Sequence, residues 1–528
     1  QGEAGNVTVG DGDTRLIRSK FFDESDAGSA IAMTISSESL GENSGPAGLV
    51  RFEGSKVALD DALVFTTNRS DDVRARSDGV LPGVEIVTVP GVGQPNNENN
   101  RVALLRTRLE ASTLGANDAG NVTITADGGS ILLDNGEILA RTGVASDREK
   151  NDSFRPAATG DAGSISVQTK QVELRNNSLI NAQTRGRGDA GLVTVIGAEQ
   201  VIARGTEGSP SDDLRSVTIS SESEAAPNWN GALGGARSVL VTGATVELDD
   251  AQIRATTRSN RELDSSGIRI GTAADDKINE TDESTIGIDT GRVAMIRSTA
   301  ETSTLGEAAA GDVTIKSPNG EVVLDRSDVF ARTGIDENDN FVPETEGRGG
   351  DIEILGERVR LRNELFINAQ TGGRGDAGDV TVAATELVRS KFTDPSDGGT
   401  GNIALTISSA SRTGDPSAPN DLGTPGLVRI TGDKVALDDA RVFTTNRSNR
   451  TGAPGSGAAR GVEIVTVPTG GPPNNENNRV ALLRTRLEAS TLGANDAGNV
   501  TITADGGSVL VDNSELVATT GVTIRRVE

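Results

Sequence analysis

Histidine, cysteine and tyrosine do not occur in this chain of 528 residues, and it holds one tryptophan, Trp229, two methionines and ten phenylalanines. Without cysteine there is no disulfide framework, no thiolate zinc site and no thiol nucleophile. The same lack is common in proteins that cross an oxidising periplasm without mispairing. Basic residues are scarce too: 51 against 77 acidic ones give a net charge of −26. That balance argues against nucleic acid as a partner, because phosphate neutralisation needs the opposite sign. No apolar run of 18 residues is present, so no membrane insertion is expected, and no signal peptide opens the sequence. The chain starts at Gln1 and is read as a processed or excised portion of a longer precursor.

What is present is small and aliphatic. Apolar residues make up 34% of the chain and glycine contributes 65 more positions, which is a folded composition. A globule of this length would bury many aromatics, so a core of Val, Ile, Leu, Ala and Thr implies a narrow interior extended in one direction. A solenoid meets that description.

Repeats appear at three scales. The smallest is an alternating strand such as NVTITA at 121–126, where Val122 and Ile124 share one face and Thr123 and Thr125 the other. Three such strands make a unit: AGNVTITADGGSILLDNGEILARTG (119–143) and AGSISVQTKQVELRNNSLINAQTRG (162–186) match in their apolar positions. Coils of this kind begin near residues 5, 48, 83, 120, 163, 191, 237, 267, 311, 350, 378, 426, 461 and 498. The expected fold is all-β: a right-handed parallel β-helix of about 14 coils, three strands per coil, with surface loop insertions. Leu59, Leu104, Leu133, Leu174, Leu248, Leu324, Leu361 and Leu437 should stack inside it. Asp61, Asn135, Asn176, Asp250, Asn363, Asp439 and Asn513 should occupy one recurring turn.

The largest scale is set by GNVTV at 5, GLVTV at 191 and GDVTV at 378. It divides a single continuous solenoid, 1–528, into superrepeats 1–190 and 191–377, of five coils each, and 378–528, of four coils and a strand-like tail. RLEASTLGANDAGNVTITADGGS recurs without change at 108–130 and 486–508, which records a duplication. Gly-, Ser-, Pro-, Asp- and Asn-rich insertions at 19–30, 205–215 and 391–402, and at 68–82, 257–266 and 446–460, should be surface loops. They vary between copies while the coil bodies barely change.

Parallel β-helices also house polysaccharide lyases and glycosidases, whose sites join carboxylates of neighbouring coils to basic and aromatic side chains. The pairs Asp60–Asp61, Asp249–Asp250 and Asp438–Asp439 lie five coils apart, about 24 Å at ~4.8 Å per coil, and read better as turns. No catalytic residues are assigned. Arg187-Gly188-Asp189 and Arg374-Gly375-Asp376 spell a tripeptide read by animal adhesion receptors, but each precedes an Ala-Gly turn at the same phase, so a turn role is expected. Asp336, Asn338 and Asn340 have the spacing of a calcium loop, yet Phe341 stands where that loop needs glycine and no glutamate closes it. No metal or cofactor is expected. Asn-x-Ser/Thr triplets, among them those at Asn6, Asn68 and Asn121, are read as strand chemistry.

The strings GDAGSISVQTKQVELRNNSLINAQTRGRGDAG and ANDAGNVTITADGGSILLDNGEILARTG resemble the filamentous-haemagglutinin-like exoproteins of two-partner secretion, especially the cyanobacterial kind. The resemblance lies in repeat style and spans nearly all the coil bodies. It implies export across the outer membrane and a right-handed β-helix at the cell surface, serving as adhesin, matrix component or effector carrier. The secretion domain's Asn-Pro-Asn-Gly type motif has no counterpart; Ser317-Pro318-Asn319-Gly320 is the nearest string. A secreted structural rod is therefore expected, a subunit or segment of an extracellular filament. An adhesin presenting its loops to polysaccharide or cells is the alternative, and a carbohydrate-active enzyme the distant third. The expected partner is a second copy, stacked head to tail by pairing Val522, Ile524 and Val527 with the coil opened by Asn6, Val7 and Val9.

Overall fold

The computed structural model describes residues 3–19, 33–41, 45–70, 83–89, 100–146, 152–206, 216–224, 234–257, 267–271, 291–307, 309–335, 342, 345–391, 405–411, 423–447, 460–466, 479–491 and 497–520. Most of the expected loops, Trp229, and the segment Asp336 to Phe341 lie outside these residues. The chain is a parallel β-helix, with no helix among the described residues. It forms two compact units, Gln1–Arg261 and Glu262–Glu528.

In the first unit, coil 1 comprises Val7–Gly10, Ile17–Arg18 and Met33–Ser39; coil 2, Leu49–Glu53, Lys56–Asp60 and Ala62–Asn68; coil 3, Gly83–Thr88, Arg101–Leu105 and Arg108–Thr113. Coils 4 to 7 follow as Asn121–Asp134 with Glu137–Thr142, Ile165–Arg175 with Leu179–Thr184, Val193–Arg204 with Val217–Ser223, and Val239–Asp249 with Ala251–Thr257. The second unit opens with coil 8: Ile268–Gly271, Arg292–Ile296 and Thr299–Thr304. Coils 9 to 11 are Val313–Asp325 with Asp328–Thr333, Ile352–Arg362 with Leu365–Thr371, and Val380–Lys391 with Leu405–Ser411. Coil 12 holds Val428–Gly432, Lys434–Asp438 and Ala440–Asn446; coil 13, Val462–Thr466, Arg479–Leu483 and Arg486–Thr491; coil 14, Val500–Ala504, Ser508–Asp512 and Glu515–Thr520.

In coils 4 to 7 and 9 to 11 the first two strands run on as one. In Asn121–Asp134 the join is a register shift between Ala126 and Ser130, where Gly128 takes a φ of 64°. At this corner the chain bends through the irregularity without leaving the sheet. Within each unit the first two strands of every coil thus share one sheet, and the third strands form another. A short antiparallel hairpin, Val144–Ser146 with Asp152–Phe154, follows coil 4; the repeat pattern held no signal for it.

Alternation sets the interior. Val122 and Ile124 are fully buried, and so are all eight leucines of the expected ladder. Leu59, Leu104, Leu133 and Leu174 lie in consecutive register. Each contributes about 2 kcal/mol by leaving water. Ala203 and Ser390 hold the same place in the first coil of later superrepeats. Ser390 Oγ donates to Asp438 O at 3.1 Å and accepts its N–H at 2.7 Å, so the side chain stands in for ladder bonds.

The seven turn residues all adopt left-handed backbone: Asp61, Asn135, Asn176, Asp250, Asn363, Asp439 and Asn513 have φ between 46° and 55°. Asn and Asp tolerate that region because their short side chains bond locally. Arg106, Arg297, Arg326 and Arg484 occupy it as well, which residue preference alone does not predict.

Candidate assembly interface

Within each unit, three kinds of bond close the coil boundaries. Backbone ladders pair the strands in parallel, as in Val122↔Ile165, Leu133↔Leu174 and Ile138↔Ile180 between coils 4 and 5. Apolar side chains stack on the residue at the same phase. At the corner between coils, a carboxylate or amide oxygen of one coil accepts a backbone N–H of the next: Asp118 from Asp161, Asp161 from Asp189, Asp312 from Asp351 and Asp351 from Asp379, each at 2.8 Å. Burial pushes the Asp161 and Asp351 carboxyls up from their ordinary range, with the neighbouring aspartates of the column adding to it.

This column absorbs the Arg-Gly-Asp tripeptides. Asp189 Oδ1 accepts the Gly235 N–H at 2.9 Å, and Asp376 Oδ1 accepts the Thr424 N–H at 2.6 Å. A β-carbon on Gly188 would lie 2.1 Å from the Gly160 carbonyl oxygen, and one on Gly375 2.0 Å from that of Gly347. Close stacking of turn upon turn is what selects glycine here. Asn6 and Asn121 follow the same rule, accepting the N–H of Leu49 and of Ser164 at 2.9 Å, and buried Asn68 accepts that of Ser70 at 3.1 Å.

Two of the three aspartate pairs are shown engaged by arginine. Arg106 contacts Asp60 at 2.5 Å and Asp61 at 3.0 Å from the left-handed turn of the next coil; Arg484 contacts Asp438 at 2.5 Å and Asp439 at 2.9 Å. Burial raises the Asp60 and Asp438 carboxyls, and the arginine beside each opposes it. These ion pairs help to hold arginine in a backbone region that disfavours it.

Of the residues expected to join copies, Val7 and Val9 are half-buried and pair with Val50 and Phe52 of coil 2; Asn6 is exposed. Among the described residues no strand pairs with the other edge of Val7–Gly10. Val522, Ile524 and Val527 lie outside the described residues.

Coil 14 carries the larger open face. Its strands pair with coil 13 alone among the described residues. Val509 is 47% exposed, Val511 43% and Leu516 49%, whereas their counterparts in coil 4, Ile131, Leu133 and Ile138, are 1%, 0% and 0% exposed beneath coil 5. One coil sequence is thus seen both covered and open.

No family model, no curated protein and no solved structure matches the chain.

One feature of the third strands was missed from sequence. Outward positions there are buried as well: Glu110 is fully buried with Arg141 Nη2 at 2.7 Å, Glu488 has Arg486 Nε at 3.0 Å, and Glu301 has Arg332 at 3.8 Å. The signal was a glutamate at the same phase in LEAST, AETST and LEAST, facing ILART and VFART of the next coil in the first two copies. On other third strands, desolvation with Glu224 alongside pushes Glu222 up to about 7, and desolvation against the pull of Arg332 leaves Asp328 at about 6.

Proposed function

We propose that this chain is a secreted structural rod, a subunit or segment of an extracellular filament or matrix on a bacterial surface, without catalytic activity, that assembles end to end by stacking coils. The observation that carries the reading is the coil-on-coil construction, in which each described coil lies in parallel register on its neighbour and buries its apolar row, as coil 5 does over coil 4. Unpaired strand edges and exposed aliphatic side chains together favour β-strand addition. The likeness of the coil repeat to filamentous-haemagglutinin-like exoproteins supports an exported, surface-displayed rod, and the lack of cysteine suits passage through a periplasm. Negative-stain microscopy with sedimentation tests it: filaments or linear oligomers should form at micromolar concentration, and isolated short particles throughout would overturn it.

A second reading, an adhesin for polysaccharide, draws on one observation. The turn face between coils 3 and 6 holds a cleft of about 340 Å³ lined by Leu105, Arg106, Asp134, Asn135, Asn176, Asn177 and Thr206. Such convergent amide, carboxylate and guanidinium groups can bond sugar hydroxyls. A glycan array decides between the two: binding lost on Asn177→Ala, in a chain that still assembles, supports the adhesin.

A further inference from the structure

The corner that holds the cleft, at coils 4 and 5, has a sequence counterpart at coils 9 and 10, and the two differ in kind. Asn135 and Asn176, with φ of 50° and 55°, stand in the left-handed turns of coils 4 and 5, and Asn177 follows. In coils 9 and 10 the same three positions hold Arg326, Asn363 and Glu364. Arg326 Nε lies 3.4 Å from the Asp325 carboxylate, so that corner sets charge on charge. One bond is common to both: Asn176 Nδ2 donates to Asp134 Oδ1, and Asn363 Nδ2 donates to Asp325 Oδ1 at 2.7 Å. The scaffold is shared, while the amides of Asn135 and Asn177 mark coils 4 and 5.

The charges at the cleft are already engaged. Arg106 holds Asp60 and Asp61, and Asp134 accepts from Asn176. In the ladder row of Asp134, Arg175 lies 2.6 Å from Glu173 and Arg204 3.2 Å from Glu247. Carboxylates outnumber guanidiniums among these side chains, so an anionic ligand would meet negative charge and, among the described residues, no unengaged arginine. What is left for a ligand is neutral: the exposed amides of Asn135 and Asn177, the exposed hydroxyl of Thr206 and the half-buried side chain of Leu105. Thr206 Oγ1 has only a long bond within the chain, 3.5 Å to Asn176 Oδ1. An amide donates and accepts side by side, which suits adjacent sugar hydroxyls, and Leu105 offers an apolar surface to the C–H face of a ring. The cleft draws on coils 3 to 6, three coil spacings or about 14 Å at ~4.8 Å each, which is a seat for a polymer rather than for one ring.

We propose that this cleft binds an uncharged polysaccharide laid across the turns of coils 3 to 6, with Asn135 and Asn177 bonding its hydroxyls and Leu105 against a ring face. This names the ligand of the adhesin reading and rests on that reading for taking the cleft as a binding site. It does not depend on whether the chain stacks.

Coils 9 and 10 supply the variant. Asn135→Arg with Asn177→Glu writes their corner into coils 4 and 5, using side chains that the repeat itself carries at those positions and leaving the net charge unchanged. Retardation is measured in native gels cast with dextran, laminarin, galactomannan or hydroxyethyl cellulose, and dextran sulfate and alginate serve as charged counterparts. The parent chain should be retarded by at least one of the uncharged polymers and not by the charged ones. The double variant should lose that affinity tenfold or more at an unchanged melting temperature. Asn177→Asp, which exchanges one exposed amide for a carboxylate, should weaken it as well, and it alone decides if the double variant melts early. Retardation by an uncharged polymer that these variants leave intact would overturn the cleft as the site and keep the adhesin reading. Charged polymers retarding the chain as strongly as uncharged ones would overturn the choice of ligand. No retardation by any of the six would remove the adhesin reading and the proposal together.

Discussion

Arg141 Nη2 lies 2.7 Å from Glu110 Oε2, and the glutamate is wholly removed from solvent. The pair joins coil 3 to coil 4 from the outward side of the third strands, where alternation predicts water. Removing the cation leaves a buried carboxylate with much of its compensation gone. Arg141→Leu should therefore destabilise by about 3 kcal/mol, while the double change with Glu110→Leu should cost less than that single one. Denaturant unfolding of the three variants gives the coupling; a double variant no better than Arg141→Leu would remove the pairing argument.

The recurring left-handed turn makes a graded prediction. At Asn135, with φ of 50°, a β-branched residue meets its own backbone and glycine does not. Asn135→Val should cost about 1–2 kcal/mol, and Asn135→Gly only a few tenths. Thermal melts of both variants check the order, which should hold at Asn513 as well.

Acid titration should reveal Glu222 and Asp328. Both carboxyls bind a proton more tightly in the folded chain, at about 7 and about 6, than at their ordinary values of 4.5 and 3.8. Their contribution to stability is therefore fully present below about pH 4 and is lost as pH rises through 6 to 7. Glu222→Gln cannot ionise, so it should be more stable than the parent at pH 8, by on the order of 2 kcal/mol, and equal to it near pH 4. Melting temperatures across pH 4–8 measure the difference, and parallel curves for parent and variant would refute it.

The Arg-Gly-Asp tripeptides should behave as scaffold. Gly188→Ala forces a β-carbon against the Gly160 carbonyl, and Asp189→Ala deletes the acceptor of the Gly235 N–H. Both should lower the melting temperature, by about 1–3 kcal/mol in stability terms. Animal-cell attachment assays should show no dependence on either tripeptide.

Much of this was legible because it repeats at single positions. Coil starts, the leucine ladder and the Asx turns each depend on one residue type returning at a fixed phase. What escaped depends on contacts between residues far apart in sequence. Arg106 is an unlikely turn residue until Asp60 and Asp61 of the coil below are seen beside it. Glu110 reads as a solvated charge until Arg141 closes over it. The fusion of the first two strands rests on how tightly a corner packs, which the letters at Ala126 to Ser130 do not disclose. The sequence offers Asn6, Val7 and Val9 as contacts to a neighbouring copy; in the fold, Asn6 accepts an N–H of its own next coil and the two valines pair with it.

The hydrogen bonds that close a coil boundary all point along the direction in which coils follow one another. Tension applied along that direction therefore loads every backbone bond of a boundary, and every aspartate-to-amide bond beside them, in parallel rather than in turn. This holds where the load is spread over the whole coil face rather than drawn through the chain at one corner. A chain built this way resists pulling by sharing load across each boundary, and it fails one whole coil at a time.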